Sequence, residues 1–176
     1  MSLSFCFSRD GLKVPIINGK GLCSRIDPIL EANSWVKNNE SIFSWADRIV
    51  VVGLGAGFHI TRLADIFRNK RIVVLEINQD LINHFQSSFE TPNNVEIRLT
   101  KLQRDHFADL PEVDGRTVVV PFRAAFNESP NTYNALLIST LEGPKVKLNL
   151  ALLSAYPNVS AEKNVKIHNL MGALLK

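Results

Sequence analysis

Val50-Val51-Val52-Gly53-Leu54-Gly55-Ala56-Gly57 decides the fold of this chain. An apolar β-branched run enters a glycine-rich turn, and Phe58 to Phe67 then carry apolar residues at helical spacing. A second apolar run, Arg71-Ile72-Val73-Val74-Leu75-Glu76, ends in a carboxylate nineteen residues after Gly57. This is the layout of the first β-α-β unit of a Rossmann-like nucleotide-binding domain. The glycines let the turn backbone lie against a ligand, and the acid can accept hydrogen bonds from ribose hydroxyls. Gly53-x-Gly55-x-Gly57 is the spacing of S-adenosylmethionine-binding folds, whereas the dinucleotide fingerprint places its third glycine where Phe58 stands. No Gly-Lys-Ser/Thr follows, which excludes a Walker-type loop. The expected cofactor-binding residues are Gly53, Gly55, Gly57, Phe58 and Glu76, and the expected ligand is S-adenosylmethionine or a related small nucleoside. A plainer reading stands beside this one: a tight β-to-α turn, with Glu76 capping or solvating a strand end. Val51 sits two positions before the first glycine, where many methyltransferases carry an acid.

Working outward, Leu3 to Phe7 and Lys13 to Ile17 read as strands joined at Arg9-Asp10-Gly11, and Asn18-Gly19-Lys20-Gly21 makes a second turn. Residues 1–24 are thus expected to form a β-hairpin appendage outside the main sheet. Asp27-Pro28 is an N-cap with proline at the first helical position. The helix it opens should run to Lys37, with Ile29, Leu30 and Val36 inward and Trp35 on a flank. The core, residues 25–142, continues with strands at 48–52, 71–76, 95–99 and 117–120. Helices are expected at 58–67, with Ile60, Leu63, Ala64 and Phe67 inward, and at 79–88, with Leu81, Ile82 and Phe85 inward. Leu102 to Leu110 reads as helical or irregular, and a last core helix over 131–141 should end at Gly143-Pro144. The fold class is α/β: a three-layer sandwich with a mainly parallel sheet in order 3-2-1-4, right-handed crossovers leaving few alternatives. A complete methyltransferase sheet needs about seven strands, so this one is shortened or completed from outside.

Residues 143–176 read less firmly. Lys145 to Leu153 fits strand or helix, and Lys163 to Leu175 has an apolar stripe of Val165, Ile167, Leu170, Met171 and Leu174. That stripe is expected to pack on this domain, on a second copy or on a protein partner, because an exposed one promotes association.

A chain of 176 residues with a net charge of +3 has the size of one domain, and its charge does not indicate a general nucleic-acid surface. The local cluster Arg68, Lys70 and Arg71 suits the C-terminal end of a helix. Cys6 and Cys23 are too few for a disulfide framework and lack metal-ligand spacing, so no metal is expected. With no signal peptide and no run long enough to span a membrane, the expected compartment is cytoplasmic.

Leu22-Cys23-Ser24-Arg25-Ile26-Asp27-Pro28, followed by Glu31-Ala32, resembles the L-H-S-x-Y-D-P-x-x-E-A signature of the motility accessory factor family. In that family the signature precedes a glycine-rich strand-turn with an aromatic-His pair, as Phe58-His59 supplies here. The resemblance covers roughly residues 3–142 and departs at Cys23 and Ile26, where the family has His and Tyr. It implies a bacterial protein associated with flagellin glycosylation, and likens this chain to the family's N-terminal methyltransferase-like domain. The family's central sialyltransferase-type domain has no counterpart in this sequence, so sugar transfer is not carried over.

Other candidate residues are few. Ser24 and Arg25 could hold a carboxylate or phosphate, Arg being suited to bidentate anion contacts; otherwise Asp27 caps the helix and Arg25 pairs with an acid. His59 lies near the expected ligand, where a hydrogen bond to backbone is commoner than catalysis. Pro121-Phe122-Arg123-Ala124-Ala125 lacks the polar acceptor that amino-group methyltransferases place after the fourth strand. Three functions remain open at this point: a nucleoside-binding methyltransferase-like domain, a non-catalytic interaction module of that fold, and an accessory part of a nucleotide-sugar glycosyltransferase system.

Overall fold

The computed structural model describes residues 3–103, 106–107, 109–113 and 116–155, with side chains up to residue 142 except at 103 and 106. The expected C-terminal stripe, 163–175, lies outside the described residues. A compact unit ends at Leu141, and a second one begins at Glu142.

The N-terminal appendage is an antiparallel sheet of β1 (Ser4–Phe7), β2 (Lys13–Ile17) and β3 (Lys20–Gly21) in the order β1-β2-β3. The turn between β2 and β3 is the two-residue Asn18-Gly19, both with positive φ, and Ile17 pairs with Lys20. That geometry matches the natural twist of a hairpin, which is why Asn-Gly signals it in sequence.

Next come α1 (Pro28–Asn38) and α2 (Glu40–Trp45), the latter not anticipated from sequence. Asp27 caps α1 as expected, its carboxylate accepting from the Leu30 amide at 2.8 Å. The inward face of α1 is a correction. Ala32 and Val36 are buried with Pro28, while Ile29 and Leu30 are 46% and 61% exposed. Helix α1 packs against α3 (Phe58–Ile66), and a small residue at the crossing lets two helices approach where a larger one would hold them apart.

The main sheet has four parallel strands: β4 (Arg48–Val52), β5 (Arg71–Glu76), β6 (Val95–Leu99) and β9 (Thr117–Pro121). Their order is β6-β5-β4-β9, the 3-2-1-4 expected from the apolar runs. The result is a mixed α/β unit flanked by helices and compatible with a Rossmann-like arrangement. Ile49 to Val52 and Ile72 to Leu75 are buried throughout, as unbroken β-branched runs require for strands covered on both faces. Helix α4 (Gln79–Ser88) joins β5 to β6, capped by Asn78 and buried through Leu81, Ile82 and Phe85. The outer end of β9 is blunted: Pro121 has no N–H to offer, and its carbonyl accepts from Trp35 Nε1 at 3.3 Å.

Between β6 and β9 a small antiparallel pair, β7 (Leu102–Gln103) and β8 (His106–Phe107), replaces the helical or irregular segment expected there. A 3₁₀ turn at Arg123–Asn127 then leads into α5 (Pro130–Ala155). This helix does not end at Gly143-Pro144, and the ambiguous stretch 145–153 is helical. Proline at 144 removes the single backbone bond toward Thr140, and the bonds on either side carry the helix onward.

Candidate functional site

In open parallel sheets ligands bind outside the carboxyl ends of the strands. The glycine turn lies there, and so does the end of β5. The expected residues therefore sit together, but the space in front of them is taken by the protein itself. Every residue from Val51 to Ile60 is buried.

Gly55 and Gly57 show what the glycines accommodate. Gly55 has φ +52, and a Cβ there would lie 2.6 Å from the Leu22 carbonyl oxygen and 2.9 Å from the Phe122 ring. Gly57 has φ +87, and its Cβ would lie 2.2 Å from Phe85. Gly53 likewise faces Ala125 at 2.7 Å. Close approach and left-handed backbone both demand glycine, but what approaches is the chain's own backbone and rings. Phe58 is buried in a T-shaped contact with Phe89.

Glu76 occupies the expected end of β5 but is fully buried rather than turned to an open cleft. One carboxylate oxygen accepts the Leu54 amide of the glycine turn at 2.8 Å. The other accepts the amides of Ile77 and Asn78 at 2.7 and 2.9 Å, which open α4, and the Tyr133 hydroxyl from α5. Four internal donors thus occupy the acceptor positions a ribose would use. Burial pushes the Glu76 carboxyl up to about 7, against the opposing pull of Tyr133 and the turn amides.

Tyr133 also lies 3.2 Å from Glu128 Oε2, whose other oxygen accepts from Asn78 Nδ2 at 2.7 Å. Burial raises the Glu128 carboxyl too. Burial and then the two carboxylates keep the Tyr133 hydroxyl protonated. The 3₁₀ turn preceding this cluster is tied to the appendage: Asn127 Nδ2 donates to the Gly21 carbonyl at 2.9 Å, and Asn18 Nδ2 reaches the Glu128 carbonyl at 3.5 Å. Carboxylates and a phenol so arranged can share a proton, but with Glu76 and Tyr133 wholly buried they present no atom to a substrate.

His59 is a structural residue. Its Nε2 pairs with the Gly53 carbonyl at 3.3 Å, and its ring stacks on Phe122 with centroids 3.6 Å apart. Burial drives it down to about 3, so it is neutral and serves as a wedge between the turn and Phe122. Ser24 caps its own turn, its Oγ accepting from Asp27 and Ile26 amides at 3.1 and 3.3 Å, while its amide donates to Glu31 at 2.7 Å. Arg25 is exposed and lays its aliphatic stem over Gly21. Ser24 and Arg25 are not brought to the glycine turn by any contact described here. The cluster of Arg68, Lys70 and Arg71 is absorbed locally, by Asp65, by the carbonyls of Ser44 and Ala46, and by Glu96 respectively.

Tyr133 and Glu128 escaped the sequence reading, as did the packing of Phe85, expected inward, and of Phe122 against the glycine turn. The signal for Tyr133 was weak: a tyrosine at helical spacing from Leu136 and Leu137 points to a buried face and so to a partner for its hydroxyl, without naming one.

Among the described residues no group of histidine, cysteine and acidic side chains is placed to hold a metal, and no helix is long and apolar enough to cross a membrane. No protein-family model matches the chain, and no curated protein matches it.

Proposed function

We propose that this chain is a non-catalytic interaction module built on a methyltransferase-like, three-layer Rossmann arrangement. In this reading the crevice that holds a nucleoside in such folds has been closed from within. The observation that carries it is Glu76: its four internal donors, with Phe85, Phe122 and the Leu22 carbonyl against the glycines, leave the turn no face for adenosine. Val51, in place of the acid before the first glycine, and the missing acceptor after β9 support the same reading. The resemblance at Leu22 to Ala32 supports an accessory place in bacterial surface glycosylation, with the module contributing contacts rather than chemistry.

Calorimetry with S-adenosylmethionine and its demethylated product at millimolar concentration, near pH 6, is the test. No heat of binding is the expected result. Saturable binding of either would restore a nucleoside-binding function and overturn the module reading.

A nucleoside-binding alternative keeps one specific support, the left-handed backbone at all three glycines. It would require residues 122–133 to lift away, carrying Phe122 and Tyr133 with them.

A further inference from the structure

We propose that Glu76 and Glu128 hold one proton between them through the Tyr133 hydroxyl, and that this shared proton clasps residues 122–133 over the glycine turn. Tyr133 has one hydroxyl proton and lies against two carboxylates. Glu76 already accepts three backbone amides, which favour its ionised form, so the phenol keeps its proton and donates to Glu76. With both acids ionised, the lone pairs of Tyr133 would face a charged Glu128 oxygen at 3.2 Å with no proton between them. One proton on Glu128 resolves this, because Glu128 then donates to Tyr133 and Tyr133 donates to Glu76. Every oxygen is paired, and only one negative charge is buried. Two like charges sharing a site favour that arrangement.

The surroundings bear this out element by element. From α4 the cluster is faced by neutral Asn78 and, further off, by Asp80, whose charge also favours a protonated Glu128. The appendage contributes the neutral amide of Asn18. The glycine turn contributes only the Leu54 amide, and His59 beyond it is neutral. The clasp joins the end of β5, the start of α4, the 3₁₀ turn and α5, so its loss would loosen the cover as a unit. This inference goes beyond the interaction-module reading and does not depend on it.

The sign follows from the raised carboxyls. Below the ordinary carboxyl value of 4.5 folded and unfolded chains both hold the proton, and the stabilisation is fully present. Between that value and the raised value of the Glu128 carboxyl the folded chain holds more protons, so stability falls as pH rises. The test follows Tm and the protection of the Leu54 amide from about pH 5 to about pH 8, together with carboxyl carbon shifts of the labelled glutamates. Expected are a fall in Tm of several degrees, a matching loss of Leu54 protection, and one glutamate titration above the ordinary carboxyl range. Glu128→Gln, whose amide donates to Tyr133 at every pH, should flatten both profiles. Two ordinary carboxyl titrations, or a Glu128→Gln variant as pH-dependent as the unmutated protein, would overturn the clasp. The carboxyl shifts need no variant, so the proposal is decided even if Glu128→Gln fails to fold.

Discussion

The two ends of the parallel sheet treat polar groups in opposite ways. At the amino ends, Arg71 pairs with Glu96 and Arg116 with Asp47, both solvent-exposed pairs. At the carboxyl ends, Glu76, Tyr133 and Glu128 are buried and satisfied by one another and by backbone amides. The fold's stability is concentrated at the carboxyl ends. Exposed ion pairs gain little over water, typically less than about 1 kcal/mol, whereas a buried polar group left without its partner loses its full desolvation cost. The carboxyl end is where a related fold would place its ligand. Here it is the end at which substitutions should cost most.

Gly57→Ala should show the largest effect. It adds a Cβ 2.2 Å from Phe85 and strains a left-handed residue, for a loss of about 2–5 kcal/mol by urea denaturation. Gly11, also left-handed but in open space, is its control; alanine there should cost only about 1–2 kcal/mol of backbone strain. Equal losses at the two positions would show that packing of the turn is not decisive.

Glu76→Ala comes next, at about 2–4 kcal/mol, because it strands buried donors at three elements. A ligand-facing acid would instead be removable with stability nearly intact. Tyr133→Phe should cost about 1–2 kcal/mol, having removed one donor while keeping the ring against Phe126. At the opposite end of the sheet Glu96→Gln should fall below about 0.5 kcal/mol and fade further in salt. A larger loss there than at Tyr133 would break the contrast between the two ends.

What the sequence showed of this contrast was uneven, for physical reasons. The strand order was legible because Ile49 to Val52, Ile72 to Leu75 and Val118 to Val120 are continuous apolar runs, and crossover handedness leaves few ways to arrange them. The face of α1 was misread because hydrophobicity favours Ile29 and Leu30, while close packing selects Ala32. Glu76 was placed correctly along its strand. Its sealing was not legible, because the hydroxyl that completes it arrives from Tyr133, 57 residues away in sequence. The glycines carry the same ambiguity: a turn shaped for a ligand and a turn shaped for Phe85 and Leu22 use the same residues.

Amide hydrogen exchange at Leu54, in the ligand-free protein near pH 5.5, tests whether the glycine turn is closed by the protein's own groups. The Leu54 N–H donates to buried Glu76, so its protection should approach that of Val51 within β4. Exchange as fast as that of the exposed hairpin residue Gly11 would contradict the account and show a turn standing open for a ligand.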